Sequence, residues 1–315
     1  MCATIESNMD EKYQLKEIKL APVTHNLIPQ IKEYIVDEKD LEPEVENVLR
    51  TYNTHYSLSE AIQKRGRSSV ITRFNEVTED FDFEDMASAV KAGLDKAQTL
   101  NSSVPLRGFP VVFLYYPNNE GAKSLHGQGC ALNINDFCGK GLLVDEKKRR
   151  IQSSVAHEAT HVFLKQLGVK PSEKWFNLKT FIWDFLWEEG LTTTMEIDYD
   201  NWHYSFVNDA NYYIKFIKDW LDPESDDSKK EILLQRCIER SSLLEWLSNV
   251  GMTLDKIIPD TDDIDRKFIF LMKSMNGFGY HIGNVLWKKQ LDQGANFSEL
   301  VMKGSGEMSK WLEQY

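Results

Sequence analysis

The sequence predicts an α+β fold, mostly helical with a small sheet, on three observations. Helical periodicity dominates both ends of the chain, two short β-prone runs lie between residues 109 and 137, and no alternating βα units recur. Residues 27–64 read as helical with a break near Pro43. Residues 83–100 (FEDMASAVKAGLDKAQTL) read as an amphipathic helix, with Phe83, Met86, Val90 and Leu94 recurring at helical spacing. FPVVFLYY, 109–116, is β-branched and aromatic, the composition of a buried strand, and PNNEG, 117–121, is a turn cluster. In GCALNINDF, 129–137, Leu132 and Ile134 alternate with Asn133 and Asn135, which predicts a half-exposed edge strand. From about 146 the pattern is helical again, over 146–167, 177–198, 204–221, 226–248 and 264–291. The expected division is a helical N-terminal region, 1–105, and a second region, 106–315, with no clear linker between them.

At 315 residues and 42% hydrophobic, the chain can bury a sizeable core. Its 49 acidic and 37 basic side chains leave a net charge of −12, which repels phosphate backbones and anionic lipid. Neither a nucleic-acid nor a membrane partner is expected. The one basic run, Lys147-Lys148-Arg149-Arg150, follows Asp145 and Glu146 at an expected helix start and reads as a solvated face. Cys2, Cys130, Cys138 and Cys237 are widely spaced, form no CxxC pair and suit reduced thiols. No stretch approaches the ~18 uninterrupted apolar residues of a membrane span. The first residues, MCATIESNMDEKYQLKEIKL, lack the basic and apolar regions of a signal peptide, so the expected location is the cytoplasm.

The chemistry-bearing stretch is VAHEATHVF, 155–163. On a helix that Gly168 and Pro171 bring to an end, His157 and His161 project from one face a turn apart, where both imidazoles can reach one ion. Glu158 lies about 100° further around the axis, displaced from the ligand plane but able to reach a water on the metal's open side. This is the HExxH arrangement of two neutral ligands and a general base. Chance alone places it in roughly one chain per hundred of this length, so a third ligand is required to give it weight. The helix 177–198 offers one. Leu178, Phe181, Ile182, Phe185 and Leu186 form an apolar stripe that, continued by one turn, lands on Glu189. Glu188 falls toward Asp184 on the more polar side. A carboxylate within such a stripe is costly unless it is paired or metal-bound. A salt bridge to a lysine or arginine is the rival explanation. Gly190, next in sequence, allows another helix to approach closely.

HEATH followed by WEEGLTT resembles the gluzincin zinc metallopeptidases, whose third ligand is a glutamate on the next long helix. The separation of 27 residues (162–188) exceeds the approximately twenty common in that group. CALNINDF, EEGL and FGYHIGNVLWKKQLDQG together are similar to a bacterial family of predicted Zn-dependent proteases, over about residues 107–303. The resemblance implies a zincin-like catalytic domain within 106–315, its edge strand beside the HExxH helix. It implies Zn2+ held by His157, His161 and Glu189, and hydrolysis of peptide bonds by a zinc-bound water with Glu158 as general base. Tyr280, in the family's GYxxG segment, is the expected oxyanion donor, with His281 as rival. Ala131 and Asn133 on the edge strand are expected to pair with an extended peptide or protein substrate. The thermolysin-type Glu-x-x-x-Asp continuation is absent, because Thr193 occupies that place. His126 reads as a solvent-exposed loop residue, and His25, His55 and His203 lack ligand-like neighbours. Two other functions remain open at this stage: a zinc hydrolase of a non-peptide amide or ester, and a non-catalytic helical interaction protein with a vestigial zinc site.

Overall fold

A computed structural model describes residues 24–53, 55–79, 81–100, 106, 109–117, 121–125, 129–138, 142–169, 178–196, 210–240, 263–273 and 278–315. These residues form a mostly helical α+β architecture with one four-stranded mixed sheet. The chain divides into two compact units, one built from residues up to 96 together with 105–162, the other from 97–104 and 163–315. This line differs from the expected break at 105, because the sheet packs with the N-terminal helices.

The first unit contains β1 (Thr24–Asn26), α1 (Ile28–Ile35), α2 (Pro43–Tyr52), α3 (Leu58–Arg65), α4 (Arg67–Glu79) and α5 (Phe83–Gln98, whose last two residues lie beyond the division). It continues with β2 (Val111–Leu114), β3 (Ala122–Ser124), β4 (Cys130–Asn133), α6 (Ile134–Phe137) and most of α7 (Val144–Gln166). Pro43 opens α2 at its first turn, where a missing N–H costs nothing, and Ser57 with Glu60 forms a capping box on α3. The strand order is β1-β2-β4-β3, with β2 parallel to both neighbours and β3 antiparallel to β4. Register runs Val111↔Cys130 to Leu114↔Asn133 across β2 and β4, and Ala122↔Leu132 to Ser124↔Cys130 across β3 and β4. Aromatic side chains from α4, α5 and the residues between them cover β2 and its extension: Phe74 stands edge-on to Tyr115 at 5.0 Å, and Phe81 and Phe83 meet Phe113. The expected buried strand at 109–116 is thus observed, with all four residues of β2 buried.

The expected edge strand is corrected. β4 lies inside the sheet, hydrogen-bonded on both sides, and every residue in it is buried. The polar residues that suggested solvent are structural. Asn133 accepts from the Tyr116 N–H at 2.9 Å and donates to the Tyr116 carbonyl at 3.0 Å, standing in for a ladder partner where β2 ends. Its oxygen also accepts from the Asn135 N–H, which caps α6 and turns 134–137 into helix.

The second unit contains α8 (Leu178–Met195), α9 (Ala210–Leu221), α10 (Asp227–Arg240), α11 (Ile264–Lys273), α12 (Phe278–Asp292), α13 (Phe297–Lys303) and α14 (Met308–Gln314). α8 and α12 cross closely at Gly190 and Gly283, where the two backbones touch without intervening side chains. Around it, the Trp287 ring meets Trp187 at a tilt and Trp311 edge-on, and Trp287 donates its indole N–H to the Trp187 carbonyl at 2.9 Å. The stripe expected on α8 proves too narrow a description. Asp184, assigned to the polar side, is buried and accepts a hydrogen bond from Ser305, so α8 is enclosed over most of its circumference. Among the described residues, no helix is long and apolar enough to cross a membrane.

Candidate metal centre

α7 carries the two histidines. Its C-terminus closes as the sequence predicts: Gly168 takes a positive φ of 71°, and the Val169 N–H reaches back to the Leu164 carbonyl. Val155, Ala156, Ala159 and Phe163 are buried, which anchors the face opposite the functional groups. Gly93 of α5 makes this seating possible, because a methyl group there would strike the Gln152 carbonyl and Val155. The basic run at the start of α7 is only partly solvated. Lys147 is buried, Lys148 pairs with Asp85 at 2.8 Å and Arg150 with Glu146 at 3.3 Å.

His157 and His161 are half-buried, and their Nε2 atoms lie 3.2 Å apart. Two nitrogens held at ~2.05 Å from a common tetrahedral cation stand about 3.3 Å apart, so the spacing fits a shared ion. A carboxylate oxygen of Glu189 joins them: the three ligand atoms all lie within 4.8 Å of one another. Two imidazoles and one carboxylate form a donor set suited to a divalent transition metal. The residues fit a metal, and their chemistry alone does not select which.

Glu158, next to His157, is half-buried. Its charge reaches Cys130 on β4, whose fully buried thiol is pushed well above its ordinary pKa by burial first and by the Glu158 carboxylate second. The resemblance implies a strand beside the HExxH helix, but the pairing of Glu158 with Cys130 in particular has no mark in the sequence.

No protein-family model, curated protein or solved structure matches the chain. The site therefore rests on its own residues.

Tyr280 and His281 are both half-buried near the start of α12. The Tyr280 ring stands edge-on to Phe185 at 5.2 Å, and Phe185 lies one turn before Glu189 on the same side of α8. Ala131 and Asn133 do not join the group. Both are fully buried within the sheet, and the Asn133 amide is engaged by Tyr116 and Asn135, leaving no surface on which to pair a substrate. His126 and His203 lie outside the described residues.

Thr193, noted in the sequence only for standing where the Glu-x-x-x-Asp pattern has its aspartate, gains significance from its burial. Thr193 is fully buried on α8, four residues beyond Glu189, and its hydroxyl has no hydrogen-bond partner among the described residues.

Proposed function

We propose that this protein is a zinc-dependent hydrolase that cuts peptide bonds, with His157, His161 and Glu189 as metal ligands and Glu158 as general base. The observation that carries the reading is the grouping of those three ligand atoms within 4.8 Å, two of them on an HExxH helix. Bound zinc supplies a Lewis acid that polarises a carbonyl and lowers the pKa of water to about 7. The Glu158 carboxylate accepts the proton of the attacking water on one oxygen and returns it to the departing nitrogen. A structural metal site has no use for such a base, so Glu158 argues for turnover. The Tyr280 phenol donates a hydrogen bond to the oxyanion that develops on the former carbonyl oxygen. The choice of a peptide bond rests on the resemblance carried by HEATH and EEGL.

Zinc content of the purified protein, followed by turnover of a mixed peptide library beside small amides and esters, tests the reading. Glu158→Gln retains zinc and lowers turnover by about a hundred- to ten-thousand-fold. A wild-type protein that takes up no zinc, or a Glu158→Gln variant with undiminished turnover, overturns it.

A further inference from the structure

Three consecutive threonines, Thr192, Thr193 and Thr194, close α8, and they behave differently. Thr192 donates to the Glu189 carbonyl at 2.9 Å and Thr194 to the Gly190 carbonyl at 2.7 Å, the usual local satisfaction of a hydroxyl inside a helix. Thr193 is the most enclosed kind of case, with a relative exposure of 0%, yet its hydroxyl makes no such bond. A buried hydroxyl left unpaired opposes folding, and a valine of the same shape would remove that penalty. Its place in the helix shows what it serves. Gly190 and Thr194 lie on the flank that meets α12, through Gly283 and through the Asn284 side chain at 3.1 Å. Thr193 stands about 100° around the axis from Thr194, on the flank that carries Glu189 one turn earlier. Side chains on a helix lean toward its N-terminus, which brings the Thr193 hydroxyl level with the base of Glu189.

We propose that Thr193 is a positioning residue of the metal centre. Its hydroxyl forms its hydrogen bond only when the ligand set closes on an ion, and it holds that set in the binding geometry. The inference rests on the metal-centre reading and adds to it a residue whose polarity is costly without the ion and useful with it. Outer contacts of this kind govern metal affinity by about ten- to a hundred-fold.

The test compares wild type, Thr193→Val and Thr193→Ser for zinc affinity, by competition with a chelating indicator, and for melting temperature without metal. Thr193→Val is expected to bind zinc ten- to a hundred-fold more weakly while its metal-free melting temperature equals or exceeds that of wild type. Thr193→Ser is expected to keep zinc affinity within about threefold of wild type, since the hydroxyl is restored. Undiminished zinc affinity in Thr193→Val overturns the assignment. So does equal weakening in both variants, which would point to shape, or a lower metal-free melting temperature in Thr193→Val, which would mean the hydroxyl is already bonded. Wild type that binds no zinc removes the parent reading and this one together, whereas zinc-binding wild type with an unaltered valine variant removes this one alone.

Discussion

Replacing Gly283 by alanine tests the packing that seats α8, and the structure sets the sign of the outcome. Alanine is worth about 1 kcal/mol over glycine inside a helix, so on propensity alone the variant should be more stable. The added methyl, however, would fall on the Leu186 carbonyl and on the Gly190 backbone. Both obstacles are main chain, which cannot rotate away as a flexible side chain does. Overpacking typically costs 1–3 kcal/mol, and a backbone-on-backbone crossing belongs at roughly 3. The net loss is then about 2 kcal/mol, which lowers the melting temperature by about 4–8 °C for a unit of this size. Thermal unfolding followed by circular dichroism measures it, with Gly306→Ala as control, since a methyl there meets nothing within 4 Å. Because Gly190 directly follows Glu189, the same variant should also bind zinc more weakly. A Gly283→Ala protein as stable as wild type would refute the crossing as described.

His161→Ala should abolish the stabilisation that zinc confers on wild type. At a hundredfold excess over Kd that stabilisation is about 2.7 kcal/mol, and a chelator should reverse it in unfolding experiments. Asn133→Ala should cost about 1–3 kcal/mol in chemical denaturation, because it removes the two hydrogen bonds that the buried Asn133 amide makes to the Tyr116 main chain, without altering zinc affinity. Stability should fall on the alkaline side. Burial raises the Cys130 and Cys237 thiols, and it pushes Tyr115 up to about 12, so the folded chain keeps protons that the unfolded chain releases. The stability these groups contribute is intact below the unfolded pKa values, about 8.5 for thiols and 10 for tyrosine, and falls above them by up to roughly 1.4 kcal/mol per pH unit for each group. Urea midpoints measured from pH 7 to 11 check this, and a flat profile would contradict the burial of these groups.

Much of the site was legible because its signals are local. The four-residue spacing of His157 and His161 needs only a helix, and Gly168 marks where that helix stops. Glu189 stands out because an apolar run continues onto a carboxylate, and the structure places that carboxylate near the two imidazoles. The errors arose where a polar residue serves the interior. Asn133 reads as solvent-facing, yet its amide completes the end of a neighbouring strand, and no pairing rule applied to a single segment can reveal that. Asp184 misled in the same way, since its partner, Ser305, lies far along the chain. β1 and β3 escaped because three residues contain too little alternation to register. α4 escaped for another reason: RSSVITRFNEVTE is rich in β-branched residues, and tertiary contacts with α1 and α6 overrule that preference.

The sheet is flanked by its two shortest members, β1 and β3, each only three residues long. Flanks so brief present few main-chain donors and acceptors for a foreign strand to template upon. Growth into fibrils by edge-to-edge stacking would therefore find little purchase on this sheet, and concentrated solutions should resist seeding by amyloid fragments.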